Sequence, residues 1–432
     1  MEEYMKKQIN ILNDTILSLG SKAVGMILFM ATDIMIARFL STESYDEWSF
    51  FYAIITMCCW LVWFGINESV RVFVAKERKN IKRQNSNIRI GIKLRLLISG
   101  LFLLLFTMAS IVFIFVEPSK NLRYPHLKEL FVCGSLLCFA NSLLEYFKAV
   151  FIGLVKFKNI FILTLAEFGG YFIFGVGCLV ISKNIIGLGI GYIIAIWNAA
   201  LIGSILLKKY LRESKCQYAD SEYEKTIRWS IFKYAMPIFV VSIGSLLLTE
   251  MDSLMLGVMS ETGEIGAYSI AKSLMGKLTH VNLAICTSTM TVFAVLTKEN
   301  VNRMRKTFHK IMLGNVAVML LICVAVLLFG PYVIRILYGV EYSKSGIVII
   351  YLIPYYCGYA ITIFMSALLD YQEKAKQRVP IYFAMILLNF ILNMLFIPRY
   401  GAIGAAIATD FSLLPYLVGL IFLSYKVFKE KE

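Results

Sequence analysis

Twelve apolar runs of bilayer-crossing length leave this chain no soluble alternative. They fall at about 11–37, 48–70, 92–116, 128–154, 159–182, 185–207, 231–258, 265–296, 309–329, 346–369, 379–398 and 401–425. A helix needs roughly 20 apolar residues to cross a hydrocarbon core. Within lipid, only helices and closed barrels satisfy their own backbone hydrogen bonds. With 59% of residues hydrophobic and a mean hydropathy of +0.73, the composition agrees. The sequence predicts an all-α integral membrane protein of about 12 transmembrane helices.

The net charge of +15 would suggest nucleic acid in a soluble chain, but its distribution argues otherwise. With the N-terminus inside, 32 of the 43 Lys and Arg residues fall in inner segments, including nine between Arg71 and Arg95 and five between Lys298 and Lys310. The outer segments hold eight: Arg38, Lys120, Arg123, Lys128, Lys183, Arg335, Lys344 and Arg399. This is the positive-inside pattern, with both termini cytoplasmic in a cytoplasmic (inner) membrane, and no nucleic-acid partner is expected. The polar first ten residues lead into an apolar run without a small-residue cleavage site, so helix 1 reads as a retained signal anchor. The nine cysteines include no Cys-x-x-Cys, and neither a disulfide framework nor a metal site is expected from them.

Charge inside the apolar runs marks the candidate site. Helix 1 places Thr15, Ser18, Lys22, Gly25, Phe29 and Asp33 on one face by spacings of three and four. Lys22 lies near mid-depth and Asp33 in the outer third, roughly 16 Å apart along the axis and too far for a direct pair. Helix 7 repeats the stripe with Ser242, Ser245, Thr249 and Asp252, and also carries Glu250. Helix 8 carries Ser269, Ser273, Gly276, His280 and Thr287, flanked by Lys272 and Lys277 near the midplane. A charge at the bilayer centre costs about 2.5 kcal/mol or more, so such residues face a wet cavity, an anion or a structural partner. The competing reading for each is pairing with a neighbouring helix. Three acids look locally paired at helical spacing: Glu68 with Arg71, Glu145 with Lys148, and Asp370 with Lys374. Glu167 has no such neighbour. Residues 71–95 read as a cytoplasmic loop, and 208–230 as a hydrophilic linker.

The chain repeats itself. Asp33 maps onto Asp252 and Ser41 onto Ser260 at an offset of 219, each followed by a short acidic turn. Lys156-x-Lys158 maps onto Lys374-x-Lys376 at an offset of 218. Six helices per unit is an even number, so the halves share orientation, with the substrate site expected where they face each other. The predicted organisation is a six-helix bundle over 1–207, the linker 208–230, and a second bundle over 231–432.

Three stretches carry a family likeness. GVMSETGEIGAYSIAKSL after the Asp-bearing helix 7, NFILNMLFIPRYGAIGAAIATDFS, and IARFLSTESYDEWSFFYAI resemble the polysaccharide (O-antigen type) flippases of the multidrug/oligosaccharidyl-lipid/polysaccharide (MOP) exporter superfamily. The likeness spans the chain and departs at Asp46, where the first-half turn usually has Gly. It implies a V-shaped, pseudo-symmetric bundle with alternating access. The implied cargo is an oligosaccharide on a polyprenyl pyrophosphate, moved from the inner to the outer leaflet by a monomer, with H+ or Na+ coupling and a polysaccharide polymerase as a class of partner. It also implies a cationic cavity for the pyrophosphate, for which Lys22, Lys272 and Lys277 match, with Arg38 at the outer rim. Asp33, Glu68 and Asp252 would position those cations or couple an ion. Lysines suit a diphosphate as point charges.

The nearest alternative is an ion-coupled multidrug exporter of the same superfamily, which would favour an acid-dominated cavity. A membrane-embedded polymerase or ligase would be expected to carry a sizeable outer domain, and the outer segments here are short. AKSLMGKL lacks the leading Gly and final Ser/Thr of a phosphate loop, so no nucleotide or other cofactor is expected.

Overall fold

The computed structural model describes residues 2–116, 124–215, 217–297 and 299–430, and every regular element among them is helical. Lys120, Arg123, Lys298 and the Thr15 side chain, all used above, lie outside the described residues. The helices are α1 Glu2–Phe39, α2 Thr42–Trp63, α3 Ile66–Lys76, α4 Ile81–Val116, α5 Leu127–Gly153, α6 Phe157–Gly170, α7 Gly177–Ser182 and α8 Ile185–Glu213. They continue with α9 Ser221–Met259, α10 Glu264–Thr289, α11 Val301–Leu337, α12 Ser343–Tyr351, α13 Ile353–Tyr371 and α14 Val379–Lys429.

Among the described residues, eight helical stretches are long and apolar enough to cross a bilayer, or ten when the bent pairs α2–α3 and α12–α13 each count as one span. Helix α14 contains two of the predicted runs, and α10, with Glu264, Lys272 and Lys277 in its sequence, supplies the twelfth. A π-helical turn, Tyr171–Val176, joins α6 to α7 within a single span.

The chain forms two compact units, 1–246 and 247–432. The division falls inside α9, and the hydrophilic segment 208–230 is bound to the first unit. Asn85 donates to Ser214 Oγ and to the Gln217 carbonyl, both at 3.0 Å, Ser86 Oγ accepts from Ala219 N–H at 2.9 Å, and Arg89 pairs with Glu224 at 2.8 Å. Gln84, Asn85, Ser86 and Asn87 are consequently buried. This corrects the expectation of a long loop over 71–95: only Glu77–Asn80 separates α3 from α4, and beyond it Gln84, Asn85, Ser86, Asn87 and Arg95 are helical and enclosed, while Lys82, Arg83 and Lys93 are helical and exposed.

Three helix breaks are capped by a charged side chain of the sign that the exposed backbone demands. Phe64 and Gly65 both adopt positive φ (46° and 67°), ending α2 and leaving its last carbonyls open. The guanidinium of Arg95, fully buried on α4, donates to the Val62 carbonyl at 2.8 Å and to that of Trp63 at 3.2 Å. In the second unit, Asp410 accepts the Tyr355 N–H at 2.8 Å at the α12–α13 break, and Glu264 accepts the Ala402 N–H at 2.7 Å at the break in α14. Cation at a helix C-terminus and anion at an N-terminus both follow the helix dipole. In lipid no water is present to satisfy those groups instead.

Candidate functional site

Helices α9 and α10 form a hairpin across the turn Ser260–Gly263, where Gly263 has φ 91°. Residues equally far from that turn meet. Lys272 Nζ lies 3.5 Å from the Glu250 carboxylate and 3.3 Å from Ser253 Oγ, and it donates to the Thr249 carbonyl. Both partners are largely enclosed, with the lysine side chain 23% and the glutamate 14% exposed. Lys277 turns back on its own helix, donating to Ser273 Oγ at 2.7 Å and to the Ser273 carbonyl at 3.1 Å. This stretch of the hairpin thus carries two ammonium groups, the Glu250 carboxylate and several hydroxyls.

Asp252, one turn toward the hairpin tip from Thr249, is only 2% exposed. Its carboxylate takes three neutral donors: Tyr268 Oη at 2.5 Å, Asn393 Nδ2 at 2.6 Å and Thr409 Oγ1 at 2.8 Å. Oxygens outnumber hydrogens here. Thr409 has one hydroxyl hydrogen but also faces the Ala405 carbonyl at 2.9 Å, and Asn393 Oδ1 is buried without a hydrogen-bond partner among the described residues. Each unsatisfied buried acceptor carries a desolvation cost, so this cluster of oxygens around Asp252 suits one further hydrogen-bond donor or a hard monovalent cation. Among the described residues, no group of three His, Cys, Asp or Glu is placed to hold a metal.

The first unit has a smaller counterpart. Asp33 Oδ1 accepts from the Tyr45 hydroxyl at 2.9 Å, so an acid on the first helix of each unit meets a tyrosine on the second. Lys22 is exposed on α1 beside Ser21, whose hydroxyl donates to Thr164 Oγ1 at 3.0 Å; no hydrogen bond or ion pair engages Lys22 among the described residues. Arg38 is exposed in the last turn of α1. Glu68 pairs with Arg71 within α3, which engages its carboxylate locally.

One expectation about pairing is corrected. Asp370 pairs with Arg378 at 3.0 Å and not with Lys374, which reaches Glu430 instead. Helix α13 ends at Tyr371 and Glu373 takes φ 57°, so the i, i+4 geometry is lost. Glu167, without a neighbour in sequence, is reached by Lys148 at 2.5 Å, which also holds Glu145 at 2.6 Å. Sequence reasoning missed Tyr268, Asn393 and Thr409 as partners of Asp252. Asn389, Asn393 and Thr409 are polar residues inside the two apolar runs of α14, and that was the available signal.

Comparison with known proteins sets this geometry in context. A family model described as polysaccharide biosynthesis protein matches residues 11–294, and a MatE model matches 237–395. A curated relative, the probable low-salt glycan biosynthesis flippase Agl15 of Haloferax volcanii, is 21% identical over 187 residues, covering 42% of this chain and 39% of that protein's length. Among solved structures, an inward-facing MATE-family multidrug transporter of the MOP superfamily aligns with a TM-score of 0.74 at 12% identity, over 94% of this chain and 96% of that one. The lipid II flippase MurJ aligns with a TM-score of 0.71 at 18% identity, over 94% and 87% respectively. At these identities the structural likeness speaks for the fold alone.

Proposed function

Because this chain belongs to the polysaccharide biosynthesis protein family, within the MOP superfamily of membrane transporters, we propose that it is a flippase for a lipid-linked oligosaccharide. The cargo is a sugar chain on a polyprenyl pyrophosphate, carried by alternating access from the inner to the outer leaflet of the cytoplasmic membrane for surface-polysaccharide assembly of the O-antigen type. The observation that carries the reading is the family match over 11–294, supported by the glycan-flippase relative.

In this reading Lys272 and Lys277 attract the diphosphate, Lys22 and Arg38 extend the cationic surface on α1, and Glu250 holds Lys272 in place. An anion arriving at Lys272 competes with Glu250, a weak clamp at 3.5 Å. Asp252 is the coupling residue: it takes up a proton or Na+ among Tyr268, Asn393 and Thr409, and its charge state biases the hairpin that bears the lysines. Asp33 and Glu68 serve as positioning acids in the first unit.

The MatE match over 237–395 favours a second reading, an ion-coupled exporter of cationic drugs. The two separate in cells whose only flippase is this protein. Accessible lipid-linked glycan in the outer leaflet, with no change in ethidium efflux, upholds the flippase. Stranded glycan together with faster dye efflux overturns it.

A further inference from the structure

Helix α11 begins with a basic face and continues, on that same face, with an apolar one turned outward. Asn302, Arg303, Lys306, His309 and Lys310 are all exposed, and four of them line a shallow cavity of about 490 Å³. At 3.6 residues per turn these five positions fall on one side of the helix. The opposite side is held down: Val301 and Phe308 are buried, and Met304, Ile311 and Met312 pack against the same core. Among the described residues no carboxylate pairs with Arg303, Lys306 or Lys310, whereas Lys374 and Lys426 in the same unit each meet Glu430. Arg305 differs from the three, because its guanidinium lies over the Tyr425 ring at 5.4 Å.

The continuation of the face identifies its occupant. One turn beyond Lys310, Leu313 is 72% exposed, and Leu320 and Leu321 follow at 54% and 72% on the side that bears the cations. A soluble acidic partner would meet the cations but could not cover leucines that run on along a membrane-spanning helix. A phospholipid does both, since its phosphate sits one step outside its acyl chains.

We propose that the start of α11 is a binding site for an anionic phospholipid, its phosphate held among Arg303, Lys306 and Lys310 and its chains laid along Leu313, Leu320 and Leu321. The site is separate from the cargo and does not depend on the flippase reading. Each cation near an anionic headgroup strengthens binding about fivefold, so the three together supply roughly a hundredfold.

Native mass spectrometry of the detergent-purified full-length protein, titrated with phosphatidylglycerol or phosphatidylcholine, tests this. The expected result is a tight phosphatidylglycerol adduct with no phosphatidylcholine counterpart, weakened roughly a hundredfold in Arg303→Gln/Lys306→Gln/Lys310→Gln and unchanged in Lys79→Gln/Lys82→Gln. If the triple variant fails to fold, Lys306→Glu alone gives the same reading, with a loss of tenfold or more. Equal affinity for the two lipids, or phosphatidylglycerol binding unaffected by the substitutions, overturns the site. So does retention of a long-chain prenyl diphosphate without phosphatidylglycerol, which would assign the face to the cargo.

Discussion

The hydroxyl of Tyr268 lies 2.5 Å from Asp252 Oδ2, and it is the donor that ties α10 to the buried acid of α9. A hydrogen bond to a charged group is worth about 1.5–3 kcal/mol, which makes this contact a strong tie between the two helices. Tyr45 makes the same contact with Asp33 in the first unit at 2.9 Å. The two acids differ in enclosure, since Asp33 is only part-buried and Asp252 is almost fully covered. Burial raises the cost of an uncompensated charge, which is why the proposed function assigns ion uptake to Asp252 and not to Asp33.

Asp252→Asn is expected to abolish ion dependence of transport while leaving the fold intact. The amide keeps the shape and still accepts from Tyr268, but it can neither release a proton nor neutralise Na+. Flipping by the wild type should respond to an imposed pH or Na+ gradient, and the variant should not. Asp33→Asn should retain the gradient response. Equal gradient responses in wild type and Asp252→Asn would remove Asp252 from the coupling role.

Lys272 and Glu250 separate a structural pair from a cargo site. If the lysine serves only the pair, the charge-swapped double variant Lys272→Glu/Glu250→Lys should recover both stability and transport. The proposed function predicts otherwise: thermal stability recovers to within about 1 kcal/mol, as for a partly shielded pair, while flipping stays at least tenfold down. Glu250→Gln alone should tighten diphosphate binding, because it frees the ammonium. Isothermal titration with a prenyl diphosphate reads that directly.

The span count was legible because each crossing must hide its own backbone, and that requirement leaves an apolar run wherever a helix crosses. Glu68–Arg71 and Glu145–Lys148 were legible for a similar reason, since helical spacing alone brings those residues together. Lys272–Glu250 follows from counting outward from the 260–263 turn, but only once the hairpin is taken as antiparallel and tight. The partners of Asp252 were out of reach, because Asn393 and Thr409 lie 141 and 157 residues away and only tertiary packing sets that meeting. Arg95 misled for a physical reason. In sequence it closes a basic cluster and looks solvated, whereas its fork satisfies carbonyls that the break at Phe64–Gly65 exposes.

Arg95→Lys is therefore expected to destabilise a chain that keeps its net charge. A single ammonium cannot reach the Val62 and Trp63 carbonyls in the fork geometry of a guanidinium. Hydrogen bonds between membrane helices are worth about 0.6–1.7 kcal/mol each, so losing one or two should cost on the order of 1–3 kcal/mol. Arg95→Met, which leaves every one of these carbonyls open, should cost more. Thermal unfolding followed by fluorescence-detected size exclusion ranks the three proteins, and a tie between wild type and Arg95→Lys would deny the capping role.

Three glycines with positive φ should respond differently to alanine, and the difference tests whether strain or crowding holds the breaks. Gly401, at φ 55° and ψ −131°, sits where α14 turns, and a Cβ there would fall 2.3 Å from a Glu264 carboxylate oxygen. Gly65, at φ 67°, would put its Cβ 2.4 Å from the Ala235 carbonyl oxygen. Gly263, at φ 91°, has open space around the added atom. Backbone strain costs about 1–3 kcal/mol at any of them. At Gly263 that is the whole effect. Gly401→Ala also displaces the carboxylate that accepts the Ala402 N–H and pairs with Lys344, so two interactions fail together. Gly65→Ala pushes against backbone, which yields less readily than a side chain. The expected order of thermal stability is wild type, then Gly263→Ala, then the other two, several degrees lower. If Gly263→Ala were the most damaging of the three, φ strain alone would govern and the contacts at the other two breaks would contribute nothing.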